Sequence, residues 1–134
     1  MTRAVALTAL ITLFLAGCGG NGGDASPDSA IDLKVTLWPN GETGDSITWT
    51  LQCEPVGGDH PDPAAACASL TAVADPFGPV APPDRCAEIP GGEEDVAALD
   101  GDYRGRKVHS RFTRANACVS GRWDRIAPVF PTGS

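Results

Sequence analysis

Cysteine is the residue type in this chain best suited to chemistry, and it occurs at Cys18, Cys53, Cys67, Cys86 and Cys118. A thiol can ligate metal, attack a substrate, close a disulfide or take an acyl chain. No metal-ligand spacing stands out around these positions. His60 and His109 are the only histidines, and no Ser/His/Asp arrangement or phosphate-binding loop accompanies them. The residues therefore point away from an enzyme, and they imply no cofactor or metal. Met1 to Gly17 reads as a bacterial export signal, with Arg3 ahead of an apolar stretch, Ala4 to Leu15. That stretch is about 12 residues, short of the ~20 that a membrane-spanning helix needs. Export places the rest in an oxidising compartment where disulfides persist. An odd cysteine count leaves one spare thiol, and the four later cysteines suffice for two bridges. Spacing alone does not decide how those four pair.

The spare thiol has a use. Leu15-Ala16-Gly17-Cys18 resembles the lipobox of bacterial lipoproteins, in which the cysteine receives a diacylglycerol and becomes the new N-terminus. The resemblance implies lipidation at Cys18 and a domain held at the outer face of the cell membrane. Residues 18–30 (Gly, Asn, Asp, Ser and Pro) are nearly free of apolar side chains and read as a flexible tether. Residues 31–134 remain, about 104 residues, enough for one domain with a modest core. The chain carries 17 acidic against 10 basic residues, a net charge of −7. This argues against nucleic acid as a partner and against electrostatic adhesion to anionic lipid.

The elements that must position the cysteines follow from periodicity. Ile31 to Leu37 and Ile47 to Cys53 alternate apolar with polar, the pattern of half-buried strands, and a turn from Pro39 to Asp45 joins them as a hairpin. Pro61 to Val73 is the best helix candidate: proline suits a first turn, Asp62 the positive end, and Ala64 to Leu70 are good helix formers. Asp75 to Asp84 holds four prolines and must be an irregular loop. Val96 to Tyr103 and Lys107 to Thr113 form a second hairpin turning at Arg104-Gly105-Arg106, and a short last strand is expected near Val129-Phe130. The sum is an α+β domain with an antiparallel sheet of about five strands, one or two helices and two disulfides. Trp38, Trp49 and Trp123 read as packing residues, and Glu93-Glu94-Asp95 as a solvated acidic run.

From Cys53 the chain runs Cys-Glu-Pro-Val-Gly-Gly-Asp-His-Pro-Asp-Pro-Ala-Ala-Ala-Cys-Ala-Ser-Leu. This resembles the signature of the Streptomyces subtilisin inhibitor family at Cys53, Pro55, Gly58, His60, Pro61, Ala66, Cys67, Ala68 and Leu70. Asp100-Gly101 and Arg104 to Val108 look like the family's late hairpin, and Phe112, Asn116, Cys118 and Val129-Phe130 continue the match. The resemblance implies the pairs Cys53–Cys67 and Cys86–Cys118. In the chain-entropy model these close loops worth about 3 and 4 kcal/mol. Inside that signature His60 reads as a residue that orders the turn before the helix.

The resemblance also implies a function. In that family the exposed segment after the third domain cysteine enters a serine protease as a substrate mimic, and the specificity residue lies two positions beyond it. Here that residue is Glu88, the reactive bond Glu88–Ile89, and the supporting residues Cys86, Ala87 and Pro90. Ala87 stands where the family usually has proline. Gly91 and Gly92 add backbone freedom after the bond, and the stretch from Cys86 to Asp100 runs about two residues longer than usual. A glutamate in an apolar pocket would be an unpaired buried carboxylate, so the expected target is a subtilisin-like enzyme with a polar or basic pocket or a glutamate-specific one. Family members form homodimers through one sheet face, which extends to a homodimer here. The competing class is a non-inhibitory binding or structural lipoprotein on the same scaffold.

Overall fold

The computed structural model describes residues 30–131. The export segment, Cys18 and nearly all of the expected tether lie outside the described residues, as does 132–134. Strands β1 (Ile31–Trp38), β2 (Ile47–Cys53), β3 (Val96–Tyr103) and β4 (Arg106–Thr113) form one antiparallel sheet in the order β2-β1-β3-β4. β1 is central, and its alternation shows why. Ile31, Leu33, Val35 and Leu37 are buried while Asp32 and Lys34 between them are exposed, so one face enters the core and the other meets water. Tyr103 pairs with Arg106, leaving Arg104 (φ +49°) and Gly105 (φ +80°) as a two-residue turn. Two successive positive φ values match the right-handed twist of a hairpin. Arg106 therefore belongs to the strand, not to the expected three-residue turn.

Two helices cover the core face. α1 (Pro63–Ala72) starts where the Asp62 carboxylate accepts the Ala65 N–H, satisfying one of the free donors of a first turn. It stops as Val73 turns extended, a little inside the expected span, and it buries Ala66, Cys67 and Leu70. Cys67 is bonded to Cys53 at the end of β2, so the first disulfide joins helix to sheet within the core. His60 is buried: its Nδ1 accepts the Asp62 N–H and its Nε2–H donates to the Val129 carbonyl, each at 3.1 Å. The ring thus orders the helix entry and fastens the C-terminal segment to it.

The second helix, α2 (Ala117–Arg125), follows β4 directly. Sequence reading allowed a second helix without placing it. The strand expected near Val129-Phe130 is a 3-10 turn, Ala127–Val129, so the sheet has four strands. Pro128 has no N–H for a ladder, and burial fixes the segment instead. Phe130 packs on Trp123 (4.5 Å between ring centroids) and Phe112 (5.1 Å). Trp123 is buried in the core and Trp49 is half-buried at its margin, whereas Trp38, also half-buried, falls on the strand face opposite the core.

Candidate functional site

The segment between α1 and the second hairpin is where the chain leaves regular structure and is still held. After α1, residues 73–82 run irregularly to a 3-10 turn, Pro83–Arg85. Proline pre-sets the backbone of such a turn, and the Arg85 and Cys86 N–H groups donate to the Pro82 and Pro83 carbonyls. Cys86 leaves this turn extended (φ −122°, ψ 128°) and is bonded to Cys118 in the first turn of α2. The two disulfides are those the resemblance implied.

Past Cys86 the chain lies antiparallel to residues 114–117, the link between β4 and α2. The Ala117 N–H donates to the Ala87 carbonyl and the Ile89 N–H to the Ala115 carbonyl, both at 2.8 Å. Glu88 sits directly opposite Asn116. In this antiparallel pairing the flanking residues make the hydrogen bonds, so the N–H and C=O of Glu88 point away from the bracing segment. Ala87, Glu88 and Pro90 are exposed, and Ile89 is half-buried. The Glu88–Ile89 bond is therefore presented outward from a segment fixed on both sides.

The second fixing point corrects the expected looseness of the two glycines. Gly91 takes a left-handed turn (φ +80°). Gly92 is buried, its N–H donates to the Ile89 carbonyl, and its own carbonyl accepts the Arg114 N–H. A Cβ built on Gly92 would lie 2.0 Å from the Arg114 carbonyl oxygen. Glycine here permits close approach to the brace, and that approach pins the chain rather than freeing it. The added length is also held, since the Glu94 N–H donates to the Gly91 carbonyl and its carbonyl accepts the Gly41 N–H.

Two functional side chains had no role assigned from sequence. Asn116, buried, accepts the N–H groups of Cys118 and Val119 and so caps α2 beside the Glu88 bridge. Its signal was an asparagine ahead of a run able to form a helix. Arg114 pairs with Asp124 at 3.1 Å and lies over the Trp123 ring, tying the brace to the core. The uncovered face of the sheet is polar. It carries Lys34 with the pairs Asp100–His109, Asp102–Lys107 and Glu42–Arg111. Arg111 holds the Glu42 carboxyl below its usual value, chiefly through their hydrogen bond. Among the described residues no cluster of His, Cys, Asp and Glu could hold a metal ion.

An antiparallel sheet with two helices, two disulfides and an exposed, braced loop defines a small disulfide-bridged α+β domain. Residues 27–116 match the family model described as subtilisin inhibitor-like, and the chain belongs to that family. It is 43% identical over 77 residues to subtilisin inhibitor-like protein 15 of Streptomyces bikiniensis, spanning 54% of this chain and 68% of the relative. Among solved structures it is similar to Streptomyces caespitosus sermetstatin, captured in a complex with Bacillus licheniformis subtilisin. That likeness, at 23% identity and a TM-score of 0.51, covers 78% of this chain and all of the other; it supports the fold.

Proposed function

We propose that this protein inhibits an extracellular serine protease by offering the Glu88–Ile89 bond as a substrate mimic. One observation carries the reading: an exposed extended segment is fixed by a disulfide before the bond and by a buried glycine after it, with the polar groups of Glu88 turned outward. A preordered loop loses little conformational entropy on binding, and a braced one keeps the ends of a cut bond together, so the enzyme is retained. Family membership and the subtilisin complex formed by a protein of the same fold support the same reading. Glu88 favours an enzyme with a polar or basic pocket, since an apolar one would bury its carboxylate without a partner.

Incubation with subtilisin, trypsin, chymotrypsin and a glutamate-specific protease tests this. An inhibitor gives stoichiometric loss of activity with slow cleavage after Glu88; a plain binding or structural lipoprotein gives neither. Glu88→Arg is expected to gain trypsin inhibition and Glu88→Leu to gain subtilisin inhibition, each by several tens-fold or more, because a few kcal/mol are at stake. Unchanged inhibition constants in both variants would move the reactive bond elsewhere. The Cys18 motif supports anchoring of the domain at the membrane's outer face. Cys18→Ser should shift the exported protein from the detergent phase to the aqueous phase. The family resemblance extends to a homodimer through the open sheet face, which would bring Lys34 and three ion pairs to the interface; light scattering that finds twice the chain mass supports it, and a monomer mass removes it.

A further inference from the structure

Beside the brace lies an open groove of about 390 Å³, walled on one side by residues 79–81 and on the other by α2. Ala117, Gly121 and Arg125 recur at helical spacing and share one face of α2, with Arg122 alongside. Ala117 and Cys118 close the end nearest the Glu88–Ile89 bond. The charge of this groove runs against the acidic whole, because Arg122 and Arg125 line it and no carboxylate does. Neither Arg122 nor Arg125 is committed to an ion pair within 4 Å, a state shared among the described basic residues with Lys34, Arg85 and Arg104; what sets the two apart is that they lie side by side on one wall of the groove.

Arg122 is partly satisfied. It donates to the Ser110 hydroxyl and the Arg111 carbonyl and stacks 4.0 Å over Phe112, while its Nε is buried without a partner. Burial first, and then the neighbouring Arg125, pull its pKa below the usual guanidinium value, with Asp75 opposing them; a carboxylate entering the groove would add to that opposing charge. Gly121 adds an independent sign. A Cβ there would meet nothing within 4 Å, so packing does not require glycine, which weakens a helix interior relative to other residues. What glycine leaves is open space along the groove.

We propose that the groove between residues 79–81 and α2 is a second contact surface that receives an acidic segment of the captured protease, with the exposed Arg125 pairing its carboxylates and the half-buried Arg122 adding positive charge behind it. The proposal rests on the inhibitor reading and extends it: Glu88 selects the pocket, and the groove selects enzymes whose rim carries Asp or Glu. Arginine suits this role because its planar fork meets a carboxylate with two parallel hydrogen bonds.

Two arms separate the failure of this proposal from failure of the inhibitor reading. In the first, a tetraglutamate peptide is titrated into the folded protein and followed by amide NMR. Saturable shifts confined to Ala117, Gly121, Arg125 and residues 79–81 are expected. They should weaken roughly tenfold in Arg125→Glu and disappear at about 0.5 M salt, where screening is strong; a tetralysine peptide should give none. In the second, inhibition constants are compared for wild type, Arg125→Glu and Gly121→Leu. Gly121→Leu fills the groove while improving helix propensity, so lost folding would not explain its effect. Both variants should weaken inhibition of acidic-rimmed enzymes by about tenfold or more, with cleavage after Glu88 retained. Absence of peptide shifts in the groove, or inhibition constants within about twofold for every inhibited enzyme, overturns the proposal. Peptide binding in a protein that inhibits nothing would keep the acidic-segment site and remove the inhibitor reading.

Discussion

The two disulfides do different work. Cys53–Cys67 joins the end of β2 to the middle of α1, and both of its cysteines sit in the hydrophobic core cluster. Cys86–Cys118 joins an irregular loop to the first turn of α2, outside that cluster. One bridge ties together elements that packing already holds; the other holds a segment that packing leaves exposed. Fold and display are thus secured by separate crosslinks, which lets the displayed residues change without touching the core.

Removing each bridge breaks or sharpens this contrast most strongly. Cys53→Ala/Cys67→Ala and Cys86→Ala/Cys118→Ala should each lose about 3–4 kcal/mol by chemical denaturation. Only the second should also abolish inhibition by the fraction that remains folded, measured by active-site titration of the protease. If the first pair loses inhibition equally, the division between the bridges is wrong. Next in size is Gly92→Ala, whose new methyl would be driven into the Arg114 carbonyl. It should cost about 1–3 kcal/mol and hasten cleavage after Glu88, because the far side of the bond would come loose. Asn116→Ala removes the cap of α2 and should cost ~1 kcal/mol, with a weaker effect on inhibition, since the backbone bridge to Glu88 survives.

The smallest effect lies far from the loop. The Asp59 carboxyl is held below its usual 3.8, first by the Thr50 N–H and then by the Thr50 hydroxyl. A lowered folded-state value contributes stability that is present above 3.8 and lost as pH falls through that lower value. Asp59→Asn should therefore flatten the acid side of a melting-temperature profile slightly, below about pH 5, and leave inhibition unchanged. A change in inhibition would mean that the edge of β2 communicates with the loop.

Much of the scaffold was legible because it is written locally. The alternation at Ile31–Leu37 and Ile47–Cys53 gave β1 and β2, and Asp62 ahead of an alanine-rich run gave α1. The Cys53-to-Leu70 signature, through its resemblance to a known family, gave the disulfide pairs and pointed to Glu88. α2 was harder: its run from Ala117 to Arg125 is short, contains Gly121 and is polar on balance, and the cap at Asn116 was its clearest signal. Val129-Phe130 misled because two large apolar residues in a short run suit a strand and a buried turn equally, and periodicity cannot separate them.

The sequence by itself determined the four strands and α1 and which residues could be displayed, because dihedral preference, alternation and capping act over a few neighbours. Only the tertiary structure decided what holds the display in place. Ile89 meets Ala115 and Gly92 meets Arg114 across a separation in sequence longer than twenty residues, with no local signal linking them. The same is true of the groove. Residues 79–81 and Arg125 carry no shared pattern, and they face each other because the Cys86–Cys118 bridge draws the loop against α2. Gly92, which read as freedom in the chain, became the point of closest contact, since a missing side chain permits either outcome and only the neighbouring backbone chooses.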